Sequence, residues 1–269
     1  MRYSDLHTHT VFSDGIHTME EMVRAAAERG LLSIGISDHS YTDFDLRYCI
    51  REERLAEYHA EIRRLKALYK DRLEVYAGLE YDGYTELKDR HLYDYLIGDC
   101  HYVKTRDGYH SVDHDKDEQW AAIETYFGGD PLAYSRAYFE TYVECTRLHR
   151  PDVLGHFDLS AKFGFVNENA PAYRDMAVEA MLACLKVTPI VELNTGAIAR
   201  NVRRIPYPAD FLLREIREHG GRITLCSDAH RTENLGFWFD KALELLWETG
   251  FRSIAVLRHG KFEEIGIEL

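Results

Sequence analysis

At 269 residues, 45% hydrophobic and 29% charged, the chain has the composition of a globular protein with a sizeable core. Its 33 Lys and Arg stand against 46 Asp and Glu, a net charge of −13 that counts against a protein built to grip nucleic-acid phosphates. Five scattered cysteines without a CxxC pairing read as reduced thiols, and no apolar run approaches membrane length. The expectation is a cytoplasmic, single-domain protein (1–269), monomeric or a small homo-oligomer, without nucleic-acid or membrane partners.

In chain order, Tyr3 to Leu6 reads as a strand that runs into His7-Thr8-His9 and the acidic turn Ser13-Asp14-Gly15. Positions i and i+2 of a strand share a face, so His7 and His9 can offer two imidazoles to one metal ion. Alone, such a pair is as readily an accident as a chelate. A helix follows over about 19–29, with Met19, Met22, Val23 and Ala26 on one stripe, Thr18 and Glu21 as a capping box and Gly30 at its end. Leu31 to Ser37 then gives a second strand, parallel to the first in a βαβ unit, with Asp38 and His39 beyond its end.

The pattern repeats. A helix over about 51–70 leads to a strand ending in Glu80; Tyr95-Leu96-Ile97-Gly98 ends in Asp99-Cys100-His101; Asp152 to Gly155 ends in His156 with Asp158 behind. Pro189 to Leu193 ends in Asn194, and Arg222 to Cys226 ends in Ser227-Asp228-Ala229-His230. Seven apolar strands each deliver a polar residue at the same end, where parallel α/β barrels build their sites. Any one of these histidines could be a hydrogen-bonded structural residue; jointly, with Glu80 and Asp228, they point to a metal site.

Between them, 104–127 breaks the repeat and reads as a lid-like insertion whose His110, Asp113, His114, Asp115 and Asp117 belong to solvated loop. Asp130-Pro131 opens a helix to about His149, with Tyr134, Tyr138 and Tyr142 facing the core. A helix over about 234–248 precedes a terminal strand and hairpin over about 253–269, turning at His259-Gly260.

The segments DLHTHT, SDG, SDHS, GLEYDG, GDCHY, GHFDL, ELNTGA and SDAH, in this order, resemble the PHP superfamily of metal-dependent phosphoesterases, and most closely its histidinol-phosphatases. The resemblance implies a distorted (β/α)7 TIM-like barrel with three divalent ions, Zn, Mn or Fe, at the C-terminal ends of the strands. It implies that His7, His9, Glu80 and Asp228 hold one ion and that Glu80 bridges to a second held by His101 and His156. The third falls to Asp14, His39 and His230, with His17 as the alternative to Asp14. One departure stands out: at the fourth strand the family usually carries small residues before the histidine, where this chain has Asp99 and Cys100.

The expected reaction is hydrolysis of a small-molecule phosphomonoester, L-histidinol phosphate, with Glu80, Asp228 and His230 as catalytic residues and Asp228 or Asp158 handling protons. Arginine forks suit phosphate oxygens, so Arg200 and Arg204, out of the three arginines Arg200, Arg203 and Arg204, are expected to bind phosphate together with Asn194 at its strand end. Asp43, Asp45 and the lid acids are open to the amine and imidazole of histidinol. The alternatives are a PHP phosphoesterase for a nucleotide, sugar phosphate or phosphotyrosine, or a metal-binding accessory module of the kind attached to polymerases.

Overall fold

The computed structural model describes residues 3–269. Strand Ser4–Asp5 pairs in parallel with Ser33–Ile36, which pairs with Glu74–Ala77. A second parallel group runs Arg222–Cys226, Ile190–Asn194, Val153–Leu154, Ile97–Gly98 and Glu80–Tyr81. Glu74–Ala77 and Glu80–Tyr81 are halves of one stave, and the ring closes where Thr8 bridges Ala229 in parallel and the His9 amide donates to the Ala229 carbonyl at 3.0 Å. The result is the expected distorted barrel of seven parallel staves among the described residues.

The axis of this barrel is filled by side chains. Tyr95, fully buried, donates its hydroxyl to the Leu6 carbonyl. Gly35 and Gly78 make room for it, since a Cβ at either would overlap its ring and hydroxyl. Below, hairpin Ser253–Arg258/Lys261–Gly266 covers the N-terminal ends of the staves. Ala255 and Leu257 pack with Leu6 and Ile97, and the Ser33 hydroxyl donates to the Leu257 carbonyl at 2.7 Å.

The outer helices form where the sequence signals them. Helix Met19–Glu28 carries the capping box between Thr18 and Glu21 and buries Met19, Met22, Val23 and Ala26. Helix Pro131–His149 starts at the Asp130 cap and buries Tyr134, Tyr138 and Tyr142 in the core; the Tyr142 hydroxyl donates to the Gly98 and Gly155 carbonyls at 2.9 and 2.6 Å. Helices Pro171–Leu185 and Asp210–Glu218 complete the connections between later staves.

Two expectations change. The last helix is Phe239–Glu248, not 234–248, because the Gly236 amide is spent on Asp5 Oδ2 at 3.0 Å and Trp238 turns the chain at φ +65°. The 104–127 insertion is ordered secondary structure rather than loop: hairpin Tyr102–Thr105/Gly108–Ser111, then helix Lys116–Phe127 capped by Asp115 and ended by Gly128 at φ +63°. Buried Gln119, Ala122 and Ile123 give that helix an inward face. No helix among the described residues is long and apolar enough to cross a membrane, and the five cysteines are free.

Candidate metal centre

Glu80 is the centre of the site. It is 1% exposed, and its Oε1 lies 3.1 Å from His7 Nε2, 2.9 Å from His156 Nε2 and 3.4 Å from His101 Nε2. Its Oε2 lies 2.7 Å from His39 Nδ1 and 3.5 Å from His9 Nε2. Five imidazoles from four stave ends thus surround one carboxylate. Burial alone would push the Glu80 carboxyl up, but His39, His7 and His101 hold it well below the usual carboxylate range.

Two further acids complete the cluster. Asp228, held at φ +51° beyond its stave, places Oδ1 3.2 Å from His9 Nε2 and 3.5 Å from His230 Nδ1. Asp14 places Oδ2 3.0 Å from His230 Nε2 and Oδ1 3.5 Å from His9 Nδ1 and 3.7 Å from His39 Nε2. His17 points elsewhere, accepting the Thr232 amide at 3.2 Å, so Asp14 is the member of that pair beside the cluster. The Asp14 loop is pinned by buried Asp38, which accepts from the Thr10 amide at 2.7 Å and from the Ser13 hydroxyl.

These residues fit divalent ions. Buried polar atoms are ordinarily paired, yet His7 Nε2, both His9 ring nitrogens, His39 Nδ1 and Glu80 Oε2 lack an aligned hydrogen bond while facing common space. Their donor atoms fall into sets within 4.8 Å of one another: His9, Asp14, His39 and His230; His7, Glu80 and His156; His7, His9 and Asp228; His39, Glu80 and His101. Burial, with the charges of His230 and His39, pushes His9 down to about 3, which keeps its ring a neutral donor. Imidazole and carboxylate without thiolate suit Zn, Mn or Fe.

Behind the cluster stands a layer of buried acids, of which the sequence had singled out Asp99 alone. Glu192 Oε2 meets His7 Nδ1 at 2.8 Å, and its Oε1 accepts the His156 amide at 2.7 Å and Asn194 Nδ2 at 2.8 Å. Asp82 Oδ1 meets His101 Nδ1 at 2.8 Å. Asp99 Oδ1 lies 3.0 Å from His156 Nδ1, and burial pushes its carboxyl up to about 8. The available signal for Glu192 was an acid inside the apolar run Ile190-Val191-Glu192-Leu193, where a charge needs a partner.

Above the cluster opens a cavity of about 410 Å³, rimmed by Asp45, Arg47, Tyr48, Tyr102, Asp113, Lys162, Arg200 and Tyr207. Arg200 lies where expected and donates Nη2 to Asp228 Oδ2 at 2.8 Å. Arg204 is exposed and outside the rim, so it is not a phosphate contact here. Arg203 is buried against Glu168 at 2.8 Å and lies over the Tyr207 ring. Asn194 is fully buried, its amide spent on Glu192 and the Gly196 amide, and it supports the site rather than binding phosphate. Asp158 also sits below the rim, accepting the Ala209 amide at 3.1 Å, away from the expected proton-handling position.

The rim holds residues the sequence left out. Lys162 Nζ donates to the Asp113 carbonyl and Oδ2 at 2.8 and 2.9 Å, which brings Asp113 of the insertion into the mouth instead of into solvent. Of the acids offered for the substrate's cationic end, Asp43 is exposed off the rim, whereas Asp45 lies on it, engaged by Arg47 and by the Tyr102 hydroxyl at 2.8 Å.

A PHP domain model matches residues 5–196. The chain belongs to the PHP domain family. Within it, the chain is 29% identical to the probable histidinol-phosphatase of Deinococcus radiodurans, over 96% of this chain and 98% of that protein. It is 24% identical to the histidinol-phosphatase of Bacillus subtilis, over 91% and 99%. The PHP barrel superposes on the putative histidinol phosphatase of Listeria monocytogenes with TM-score 0.75 and 21% identity, covering 88% of this chain and 99% of that one. With the histidinol phosphate phosphatase of Lactococcus lactis, solved with zinc, L-histidinol and phosphate, the TM-score is 0.73 at 21% identity over 97% and 99%. Both likenesses establish the fold.

Proposed function

We propose that this chain is a metal-dependent phosphomonoesterase that converts L-histidinol phosphate to L-histidinol and phosphate. The observation that carries the reading is the convergence of five imidazoles on buried Glu80, with Asp228 and Asp14 set against the same histidine cluster, at the floor of a small cavity. The relatives above, named histidinol-phosphatases over nearly their whole lengths, supply the substrate.

In this reading three ions are held, one by His7, His9, Glu80 and Asp228, one by Glu80, His101 and His156, and one by Asp14, His39 and His230. Bound divalent ions supply Lewis acidity toward phosphoryl oxygens and lower the pKa of water toward neutrality. The chain's own residues do the rest. Glu80 joins two sets of imidazoles and keeps them at fixed spacing. Arg200, anchored by Asp228 at 2.8 Å, presents its guanidinium to the cavity, where it can take a phosphoryl oxygen. Lys162, held by Asp113, adds a second cation on the rim. His230, half-buried between Asp14 and Asp228, would offer one ring nitrogen to the third ion, its orientation fixed by Nδ1 on the Asp228 carbonyl at 3.0 Å. The hairpin Tyr102–Thr105/Gly108–Ser111 and the rim tyrosines narrow the mouth against water.

The test is phosphate release from L-histidinol phosphate beside a nucleotide, a sugar phosphate and phosphotyrosine, on as-purified protein with its metals counted. Preference for histidinol phosphate of tenfold or more in kcat/KM is expected. Equal turnover of the panel, or preference for another ester, sinks the substrate reading.

A further inference from the structure

Asp99 is 2% exposed in the barrel interior, and neither of its oxygens has an aligned hydrogen bond. Burying a carboxylate so thoroughly is costly unless something nearby requires it. Its Oδ1 lies 3.0 Å from His156 Nδ1, a nitrogen that is itself buried without an aligned partner. The opposite ring nitrogen, His156 Nε2, meets Glu80 Oε1 at 2.9 Å. An imidazole that offers Nε2 as a lone pair must carry its proton on Nδ1, and that N–H needs an acceptor. Asp99 is the acceptor within reach.

Two sister pairs have the same build, His7 with Glu192 and His101 with Asp82, each with Nδ1 on an acid and Nε2 toward Glu80. The Asp99 pair differs in depending on a gap in the next stave. A Cβ at Gly155 would fall within the Asp99 carboxylate, so the acid fits only because residue 155 is glycine.

We infer that Asp99 is a positioning residue for His156, accepting the Nδ1 proton and so fixing Nε2 as the donor atom that the position shared by Glu80, His101 and His156 uses. The inference rests on the metal-centre reading above. It assigns to Asp99 an effect on that position alone, and to Gly155 an effect that exists only while residue 99 is an acid.

The test strips the full chain of metal and titrates Zn²⁺ against a competing chelator in wild type, D99A, D99N, G155A and D99A/G155A, with ions per chain counted and folding followed by circular dichroism. D99A should weaken one ion per chain by about 10–100-fold and leave the others, and should lower kcat more than it raises KM. D99N, whose amide oxygen can accept the same N–H, should stay within a few-fold of wild type. G155A should reproduce the D99A loss, and add nothing once residue 99 is alanine. If D99A does not fold, D99S takes its place in every comparison.

Wild type that binds no metal overturns this inference together with the metal reading. Wild type that binds metal beside a D99A protein of equal affinity overturns this inference alone. It also fails if D99N loses as much as D99A, or if G155A weakens binding equally in both backgrounds.

Discussion

His7 turns its two ring nitrogens to two different acids, Nε2 to Glu80 at 3.1 Å and Nδ1 to Glu192 at 2.8 Å, with all three side chains fully enclosed. Glu192 also takes the His156 amide and Asn194, so one acid sets the orientation of two stave ends. Whereas Glu192→Gln keeps an amide oxygen that can accept the His7 Nδ1 proton, Glu192→Ala removes the acceptor that orients His7 altogether. A fall in metal affinity of about 10–100-fold is expected of Glu192→Ala, the usual cost of losing such a partner. Chelator competition measures it, and unchanged affinity would mean that Glu192 is only packing.

Metal removal should destabilise the barrel as well as silence it. Glu80 Oε2 and ring nitrogens of His7, His9 and His39 are buried without an aligned partner, so an ion that takes them and binds only the folded chain stabilises it by linkage. At a free concentration 100 times Kd the gain is about 2.7 kcal/mol. For a chain of this size that corresponds to roughly 5–10 °C in Tm. Scanning calorimetry with and without chelator reads the shift directly, and coincident melting curves would count against any tightly held ion.

Much of this architecture was legible beforehand, and the exceptions share a physical cause. Parallel staves covered on both sides read as continuous apolar runs, and each run ended in a polar residue that the structure brings to the same mouth. Position after a strand does not say which way a side chain points. Asn194 ends its stave turned inward beside Glu192 on the same face, and Arg204 lies beyond the turn in solvent. The insertion was misread because its polarity suggested loop, although Gly108, the Asp115 cap and the Gly128-Gly129 pair are hairpin and helix signals. Lys162 carried no local signal, for it reaches the mouth only by pairing with Asp113, 49 residues away in sequence.

The hairpin beneath the barrel should matter for stability and not for chemistry. Leu257 is 3% exposed against Leu6 and Ile97, at the opposite end of the staves from Glu80. Leu257→Ala removes buried methyl groups and leaves a cavity, at a cost of about 2–5 kcal/mol. Denaturant unfolding should show that loss while kcat at 25 °C stays at the wild-type value. A large fall in kcat in still-folded protein would mean that the plug is coupled to the site.

Arg200 and Arg204, expected alike from the sequence, should separate in kinetics. Arg200 sits on the cavity rim with Nη2 on Asp228, so Arg200→Ala removes a charge-assisted contact to phosphate worth about 1.5–3 kcal/mol, or roughly 10–100-fold in KM. Some loss of kcat should accompany it, because Asp228 loses the guanidinium that helps hold its carboxyl well below the usual range. Arg204→Ala, altering an exposed side chain off the rim, should leave both constants unchanged. Steady-state phosphate release on the two variants decides the matter. Equal effects would mean that the arginine loop closes over the substrate in a way the free protein does not adopt, and a silent Arg200→Ala would pass the phosphate contact to Lys162.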